Sequence, residues 1–392
     1  MATAEYDLVV AGAGPAGAAC ACAARLAGLR VAVLDDSDEQ LWKVGESLPG
    51  AVQRTLRRLQ LGGPEQLLAA GELERCTANL SAWGSERWTH QDALANPEGG
   101  GWHVLRHRFD AALRRHATEL GVEPLRGRWS SSPAIDGARW NVAARLQGGE
   151  TVELTARFLV DATGRRALLT RQLGVRRRRL SRQSAIVGWI RRPLADEDRT
   201  TRSRSVQDGW WYTAPVPQGA RVIAFHGLPA TIAAAIKNPA LFVERCNAAE
   251  LLPYALGVED LLLPPRTSDA SVQLAERVAG PGWLAVGDAA LSFDPLSSQG
   301  VLFALYSGIR GAEAIATSLE QPQRNGAALG EYAARVHSVL RANQRARWLL
   351  YSSELRYRDA EYWRRQRESC APVGGPGVVL GPLGNEPFRT AR

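Results

Sequence analysis

The feature that most constrains the fold is a glycine-rich turn near the amino terminus. Gly12, Gly14 and Gly17 follow a short apolar run at residues 6–10, and an alanine-rich stretch at 18–26 comes next. In a strand–turn–helix unit, the first glycine permits the tight turn, the second lets a pyrophosphate approach the backbone, and the third lets the helix pack closely on the strand. The spacing therefore predicts a dinucleotide-binding βαβ unit.

The residues around this turn favour the same interpretation. A helix that begins at Pro15 and Ala16 would direct its unpaired N–H groups and the positive end of its dipole at the phosphates. A second apolar run, 30–34, ends in Asp35, whose carboxylate can accept hydrogen bonds from ribose hydroxyls. The turn alone does not distinguish NAD from FAD, so later segments must decide.

Four segments together resemble a known family. The glycine turn at 12–17, Asp161-Ala162-Thr163-Gly164 and Gly287-Asp288-Ala289 are similar to the FAD-binding fingerprints of the flavoprotein monooxygenase superfamily with the p-hydroxybenzoate hydroxylase-type fold. The run from Arg106 to Asp110 resembles that family's R-x-x-F/L-D segment. These segments span most of the chain, and the resemblance implies that the dinucleotide is FAD.

The resemblance also implies the fold class and the domain organisation. The expected fold is α/β (α+β), with a Rossmann-like FAD-binding domain interleaved with a β-sheet substrate domain and followed by a helical C-terminal region. The predicted FAD-binding domain comprises 1–75, 100–125, 150–183 and 271–320, the substrate domain 76–99 and 184–270, and the helical region 321–392.

Site residues follow from the same resemblance. It implies that Arg106 reaches the flavin, that Asp288 hydrogen-bonds the ribityl chain, and that the helix after Gly300 points its N-terminus at the flavin edge that becomes negative on reduction. The full set of predicted cofactor-binding residues is Gly12, Gly14, Pro15, Ala16, Gly17, Asp35, Glu46, Ser47, Arg106, Gly164, Gly287, Asp288, Pro295, Gln299, Gly300 and Val301.

Within the superfamily, two loops indicate a particular branch. Gly45-Glu46-Ser47 and the segment 295–300 are similar to those of flavin-dependent tryptophan halogenases, and 209–215 is the nearest match to the halogenase motif G-W-x-W-x-I-P. The resemblance places the halogenase lysine near Ser81 and the halogenase glutamate at Ser297, where this chain has neither residue. We therefore expect a non-halogenating relative.

One such group hydroxylates a tryptophan of a partner polypeptide during tryptophylquinone cofactor maturation, and the segments 351–357 and 362–365 are similar to tails of that group. The resemblance implies an FAD-dependent monooxygenase that acts on an indole-type ring through a flavin C4a-hydroperoxide, with O₂ as oxidant. NAD(P)H or a separate flavin reductase would supply electrons. The alternatives are a reductase or dehydrogenase of a small apolar or prenyl substrate, and a small-molecule aromatic hydroxylase.

Four side chains on the predicted substrate sheet are candidates for substrate contact. Trp210, Trp211 and Tyr212 form an aromatic run that could line the substrate side or pack in the core. His226 lies on a predicted strand of the same sheet, as an acid/base group or as a structural histidine. No catalytic residue is assigned, since the chemistry of this class belongs largely to the cofactor.

Composition narrows the classes of protein to which the chain can belong. With 45% hydrophobic and 22% charged residues, the chain is typical of a folded globular protein. It shows no long apolar run, no nucleic-acid motif and no cysteine spacing typical of a metal site, so we expect a cytoplasmic protein with free thiols. The net charge of +8 favours an acidic protein or peptide partner over nucleic acid, and the basic run 176–179 is interpreted as a solvated face.

Overall fold

A computed structural model describes residues 4–36 and 42–371. Its strands are β1 Ala4–Ala11, β2 Val31–Asp35, β3 Ser47–Leu48, β4 Leu73–Arg75, β5 Ala78–Ala82, β6 Thr89–Asp92, β7 Trp102–Val104, β8 Glu123–Trp129, β9 Ala134–Asp136, β10 Arg139–Leu146, β11 Thr151–Asp161, β12 Arg177–Arg179, β13 Ser184–Arg191, β14 Thr201–Val206, β15 Gly209–Val216, β16 Ala220–Gly227, β17 Arg266–Asp269, β18 Gln273–Ala275, β19 Ala279–Gly280, β20 Trp283–Ala285 and β21 Leu291–Ser292.

The helices alternate with these strands along the chain, and the last three helices follow the final strand. They are α1 Pro15–Leu26, α2 Val52–Arg57, α3 Pro64–Leu67, α4 Arg106–Glu119, α5 Leu168–Gln172, α6 Pro229–Ala235, α7 Pro239–Ala248, α8 Gly300–Glu320, α9 Asn325–Ser353 and α10 Glu361–Cys370. The fold is therefore mixed α/β, as the resemblance implies. None of the helices in the described residues combines the length and the apolar character needed to cross a membrane.

An eight-stranded sheet organises the first core, with the order β19-β20-β11-β1-β2-β8-β10-β9. Strand β1 pairs in parallel with both β2 and β11, and its residues Leu8, Val9 and Val10 are fully buried. Burial on both faces explains why β1 is continuously apolar rather than alternating. The carboxyl ends of β1, β2 and β11 lie side by side, which is where ligands bind in parallel sheets.

Helix α1 packs against α8 unusually closely. A Cβ atom on Gly308 of α8 would lie 2.4 Å from the carbonyl oxygen of Ala16 and 2.9 Å from the backbone nitrogen of Cys20. Both distances are shorter than real Cβ contacts, so only glycine allows this approach. The packing brings the N-termini of α1 and α8 to the same side of the molecule.

A seven-stranded, mostly antiparallel sheet forms the second layer, with the order β17-β13-β16-β15-β14-β5-β6. Side chains alternate between its two faces. One face packs Ile186, Ile223 and Phe225 against residues of α6 and α7, such as Phe242. The other face combines small residues, such as Ala185 and Ala224, with aromatic ones, such as Trp189. The predicted domain boundaries remain predictions, although this sheet does combine β5 and β6 with strands from the later segment.

One element prediction needs correction. The segment 184–270 was expected to be mostly β, but α6 and α7 interrupt it. Each of these helices begins with a proline, and the Asn238 side chain caps α7 by accepting hydrogen bonds from the backbone N–H groups of Ala240 and Leu241. The predicted helical region 321–392 contains two helices, α9 and α10. Residues 372–392 of that region lie outside the described residues.

Candidate active site

The glycine turn forms one wall of a cavity of about 810 Å³. Gly12 has φ +99°, and a Cβ there would lie 2.6 Å from the carbonyl oxygen of Ala162. A Cβ on Gly17 would lie 1.9 Å from the carbonyl oxygen of Gly12. Gly14, in contrast, has no heavy atom within 4 Å of the position its Cβ would occupy, and it lines the cavity. Two glycines thus allow close packing, while the third leaves backbone open to a ligand.

The N-terminus of α1 opens into this cavity. Gly14, Pro15 and Ala16 all line it, and no side chain caps the first turn of the helix. The orphan N–H groups and the helix dipole therefore favour an anionic group at this position. Asp35 also lines the cavity from the end of β2, where its Oδ1 accepts a hydrogen bond from the Ala13 N–H at 3.1 Å.

A buried carboxylate fixes the turn that contains Gly164. Asp161 is fully buried, and its oxygens accept hydrogen bonds from the N–H and hydroxyl groups of both Thr163 and Thr170. Gly164 follows with φ +64° and lines the cavity. Arg165, next in the chain, donates to the carbonyl oxygen of Phe293 at 3.0 Å. Asp161 therefore shapes the cavity without lining it.

The third fingerprint, Gly287-Asp288-Ala289, places one residue in the cavity lining and another in the packing beneath it. Asp288 lines the cavity, and its Oδ2 lies 3.5 Å from Nε of Arg165. Gly287 is buried below it, where a Cβ would lie 2.7 Å from the Cβ of Ala16. Arg177 donates a hydrogen bond to the backbone carbonyl of Asp288 at 2.7 Å. The interpretation of 176–179 as a solvated face is therefore wrong for Arg177, although its neighbours are exposed.

Arg106 lines the cavity and holds the 43–47 loop in place. Its Nη1 donates to the Val44 carbonyl at 2.8 Å, and its Nη2 lies 3.1 Å from a carboxylate oxygen of Asp110. Lys43 also pairs with buried Asp110, at 2.6 Å. Gly45 has φ +93°, and a Cβ there would lie 2.2 Å from Nη1 of Arg106. The loop therefore depends on a glycine at this position.

Glu46 and Ser47 connect the loop to the seven-stranded sheet. The Tyr212 hydroxyl donates to Oε1 of Glu46 at 2.6 Å and lies 2.7 Å from the Ser47 hydroxyl. The second Glu46 oxygen accepts from the Gly45 N–H at 2.9 Å. Burial and the Glu46 carboxylate raise the pKa of Tyr212 well above its ordinary value, so the phenol stays protonated and remains a donor.

The segment before α8 forms the floor of the cavity. Pro295, Gln299, Gly300 and Val301 line it, and a Cβ on Gly300 would meet no heavy atom within 4 Å. Ser298 adopts the left-handed conformation with φ +49°, which turns the chain into the helix. The N-terminus of α8 therefore points into the same cavity as that of α1.

An acidic residue that the sequence analysis missed anchors this floor. Asp294 is fully buried and accepts hydrogen bonds from Nε of Arg347 at 3.1 Å and from the Tyr351 hydroxyl at 2.8 Å, both on α9. It also accepts from Gln183 at 3.3 Å and from the Leu296 N–H at 3.1 Å. Apart from Leu296, the partners are far away in sequence, so no local pattern could have indicated the contacts with Gln183, Arg347 and Tyr351.

The seven-stranded sheet supplies the opposite wall. In register, His226 lies between Ala185 on β13 and Trp210 on β15, and Ala224 lies between Val187 and Tyr212. All six of these residues line the cavity. The Trp210 indole and the His226 imidazole are stacked, with ring centroids 3.8 Å apart and an interplanar angle of 7°. This wall is therefore built from aromatic and small side chains.

Trp211 is not part of this wall. Because neighbouring residues of a strand face opposite sides of the sheet, its indole lies on the other face. There it is 1% exposed and packs against Phe225 and Phe242, with ring centroids 5.0 and 5.4 Å away. The prediction of Trp211 as a substrate-side residue was therefore wrong, and core packing, the other interpretation of the aromatic run, applies to it.

A family model described as "Tryptophan halogenase" matches residues 90–374, more than half of the chain. The chain belongs to the tryptophan halogenase family. It is therefore a flavin-dependent enzyme of the oxidoreductase class, and the resemblance seen in the sequence is confirmed.

Individual relatives extend this finding. The 1H-pyrrole-2-carbonyl-(peptidyl-carrier protein) brominase of Pseudoalteromonas luteoviolacea is 29% identical over 329 residues, covering 81% of this chain and 78% of the brominase. A protein named as the FAD-dependent oxidoreductase LodB, from Marinomonas mediterranea, is 24% identical over 372 residues, covering 94% of this chain and 98% of LodB.

A solved structure gives a similar result at the level of the fold. The peptidyl tryptophan dihydroxylase QhpG, described as essential for tryptophylquinone cofactor biogenesis, matches with a TM-score of 0.75 and 26% identity, covering 93% of this chain and 79% of QhpG. The proteins similar to this chain thus include one named as a brominase and one named as a tryptophan dihydroxylase.

The residues present fit the FAD of this family. The cavity offers an open backbone at Gly14, two helix N-termini for negatively charged groups, and the Asp35 carboxylate at the end of β2. Fourteen of the sixteen predicted cofactor residues line it, and Gly17 and Gly287 instead allow the close packing beneath it. Their assignment as FAD contacts stays a prediction.

Ser81 and Ser297, where the resemblance places the halogenase lysine and glutamate, are not among the described residues that line the cavity. Ser81, on β5, accepts a hydrogen bond from the Ser203 hydroxyl at 3.3 Å, and Ser297 donates to the Asp294 carbonyl at 3.0 Å. Among the lysines, Lys43 lines the cavity and Lys237 is exposed elsewhere. In the described part of the chain, no group of three or more His, Cys, Asp or Glu residues could hold a metal ion.

Proposed function

We propose that this chain is an FAD-dependent monooxygenase that hydroxylates an indole-type ring. The observation that carries the proposal is the composition of the sheet wall. Apart from the Asp269 carboxylate on β17, its described lining residues are aromatic, small or uncharged, and none carries an ammonium group that could hold an activated halogen. The lysine that does line the cavity, Lys43, pairs with Asp110 beside Arg106, on the side of the glycine turn.

The turn and helix ends described above would hold the cofactor. Bound FAD, once reduced, would supply with O₂ the oxygen atom that is transferred. The chain itself would contribute binding, orientation and exclusion of water. Glu46, Ser47 and Tyr212 connect the cofactor loop to the substrate sheet by hydrogen bonds, so a substrate on the sheet would keep a fixed position relative to the 43–47 loop.

The sheet wall suits a flat aromatic ring. Ala185 and Ala224 provide space beside the stacked rings of Trp210 and His226, and Phe293 lines the cavity from the neighbouring segment. Aromatic side chains bind ring substrates through their large apolar surface and through offset or edge contacts. Among the described residues of this sheet that line the cavity, Asp269 alone has a charged side chain, which favours an indole over a highly charged substrate.

The finer proposal is that the ring belongs to a tryptophan of a partner polypeptide, modified during quinone cofactor maturation. The likeness to QhpG supports a hydroxylating role, and the name of the brominase indicates that the brominase acts on a carrier-bound substrate. The formal charge of +8 suits an acidic partner, because complementary charge speeds encounter between proteins. NAD(P)H or a separate flavin reductase would provide the electrons.

The direct test supplies the FAD-loaded protein with a flavin reductase, NADH, O₂ and either free indole or a tryptophan-containing acidic peptide. We expect an oxygenated indole product, formed faster on the peptide. Turnover restricted to free indole would remove the peptide proposal and keep the hydroxylase. Reduction of a quinone or prenyl double bond in the absence of O₂ would instead favour the reductase alternative.

Halogenation is the second candidate. The 29% identity to a brominase over 81% of the chain favours it directly. Including bromide in the same assay separates the two, since a halogenase would release a brominated ring. The hydroxylase proposal requires an oxygenated ring regardless of halide.

A further inference from the structure

A buried ion pair anchors the floor of the cavity. Asp294 precedes the floor segment 295–301, and its carboxylate is fully buried. Nε of Arg347, on α9, lies 3.1 Å from Oδ2 of Asp294, and the guanidinium is itself almost fully buried. Among the described residues, no other cationic side chain pairs with this carboxylate. Two opposite charges are therefore enclosed together next to the segment that leads into α8.

Hydrogen bonding alone does not require a cation at this position. The Asp294 carboxylate also accepts from three neutral donors, which are the Tyr351 hydroxyl, the Gln183 side-chain amide and the Leu296 N–H. Three such donors occupy most of the roughly four lone-pair sites of a carboxylate. What Arg347 adds is a positive charge, which offsets the cost of enclosing a carboxylate away from water.

Further contacts fix the position of that charge. Nη2 of Arg347 donates to Oε1 of Gln366 and to the Ser369 hydroxyl, both at 3.2 Å and both on α10. Gln366 in turn donates to the backbone carbonyl of Arg182 at 3.1 Å. The guanidinium is therefore held between the floor and α10, and it stays beside Asp294.

The charge of Asp294 acts on the cavity. Burial lowers the pKa of His226, on the sheet wall, to about 4, and the Asp294 carboxylate opposes this by favouring the charged imidazole. The N-terminus of α8 follows Asp294 closely and opens into the same cavity. The helix dipole favours negative charge there, whereas a lone carboxylate would oppose it. The balance at this end of the cavity therefore depends on Arg347.

We propose that Arg347 is a positioning residue for reduction of the FAD: by compensating the Asp294 carboxylate, it keeps the α8 end of the cavity favourable to the negative charge that the flavin gains. The reductant, NAD(P)H or a flavin reductase, loses the two electrons and the proton that the flavin takes up. Arg347 is not among the described residues that line the cavity, so it acts through Asp294. The inference rests on the assignment of FAD to this cavity, and it applies to hydroxylation and halogenation alike.

The test measures the midpoint potential of the FAD-loaded protein against a reference dye, without substrate, at about pH 8.5, where a carboxylate with three neutral donors is ionised. Arg347→Gln leaves the carboxylate uncompensated. We expect it to favour oxidised over reduced FAD about tenfold more than the wild type does, a fall of about 30 mV for a two-electron couple. Asp294→Asn leaves the cation uncompensated and should raise the potential. The double variant has neither charge and should return close to the wild-type potential.

Two controls separate charge from packing. Arg347→Lys keeps the positive charge and should stay nearer to the wild-type potential than Arg347→Gln does. Tyr351→Phe removes a neutral donor from the same carboxylate and should leave the potential as in the wild type. The FAD content and Tm of each variant show whether it is folded.

Shifts of the same sign in the two single variants, or no shift in either, would overturn the inference. So would a double variant that departs further from the wild type than either single variant. If Arg347→Gln does not fold, the rise in Asp294→Asn and its reversal in the double variant decide between the outcomes. Loss of FAD from all three would also overturn it, because the pair would then be needed to form the floor. Since no turnover is measured, the hydroxylase proposal can fail in its own assay while this result stands.

Discussion

The two walls of the cavity are built by different means. The wall at the glycine turn presents backbone and helix ends. Its shape requires Gly12 and Gly17, because a Cβ atom at either position would collide with the backbone. The sheet wall presents side chains, and its character depends on which residues of each strand face inward. A change in the first wall should therefore affect the cofactor, whereas a change in the second should affect either the substrate or the packing of the sheet.

The largest expected effect is at the turn. Gly14→Glu would place a side chain and a negative charge where the backbone is open to the cavity, and it should give colourless protein without bound FAD. Gly148→Glu is the matched control, since Gly148 is exposed and also has no neighbour within 4 Å of its Cβ position. The flavin absorbance of the purified proteins measures the outcome, and a yellow Gly14→Glu variant would refute the assignment of this wall.

The Trp211→Ala variant tests whether Trp211 belongs to the core behind the sheet and not to the sheet wall. Removing this buried indole should lower the free energy of unfolding by about 3–5 kcal/mol, because the surrounding residues cannot fill the space. Bound FAD per folded chain should stay the same, since Trp211 does not line the cavity. Denaturant unfolding with flavin absorbance checks both. A loss of under about 1 kcal/mol would contradict its placement in the core.

These two residues also show how far the sequence can predict the site. The spacing of Gly12, Gly14 and Gly17 is a local pattern and was enough to predict the turn, although the atom for which Gly12 leaves room, the Ala162 carbonyl oxygen, is distant in sequence. The inward face of β15 depends on register with β16, and the run 210–212 alone could not reveal that its middle residue faces the other way.

The long-range contacts of Asp294 could not be predicted from the sequence for a related reason. Asp294 receives hydrogen bonds from Gln183 and from Arg347 and Tyr351 on α9, which are brought together only by the tertiary fold. Helices α6 and α7 could have been anticipated in part, because Asn238 followed by a proline is a helix-start signal.

An effect of intermediate size is expected at His226 of the sheet wall, in the dependence of the free energy of unfolding on pH. Below pH 6.5, the ordinary value for histidine, the unfolded chain binds a proton at His226, while the folded chain does so only near its pKa of about 4. Stability present above pH 6.5 is therefore lost as the pH falls towards 4. The His226→Phe variant has no titrating group at this position. Its unfolding free energy should therefore fall less over that interval than that of the wild type, and the difference should be up to about 3 kcal/mol. Equal losses in both proteins would contradict a neutral, buried His226.

The smallest effect is expected where the two walls meet. Tyr212→Phe removes the hydrogen bonds to Glu46 and Ser47 and leaves Glu46 with one donor fewer. Unfolding free energy should fall by about 1–2 kcal/mol, with a weaker affinity for FAD because the 43–47 loop is less well fixed. Ser47→Ala, which keeps the bond between Tyr212 and Glu46, should have a smaller effect. A Tyr212→Phe variant as stable as the wild type would argue against this connection.

The most direct measurement of the central claim uses ¹⁸O₂ and bromide together. The FAD-loaded protein, a flavin reductase, NADH and a tryptophan-containing peptide are incubated under ¹⁸O₂ with excess bromide, and the peptide is analysed by mass spectrometry. The proposed function predicts that the indole gains oxygen-18 and that bromide does not alter the product. A brominated indole without oxygen-18 would contradict it and establish halogenation instead.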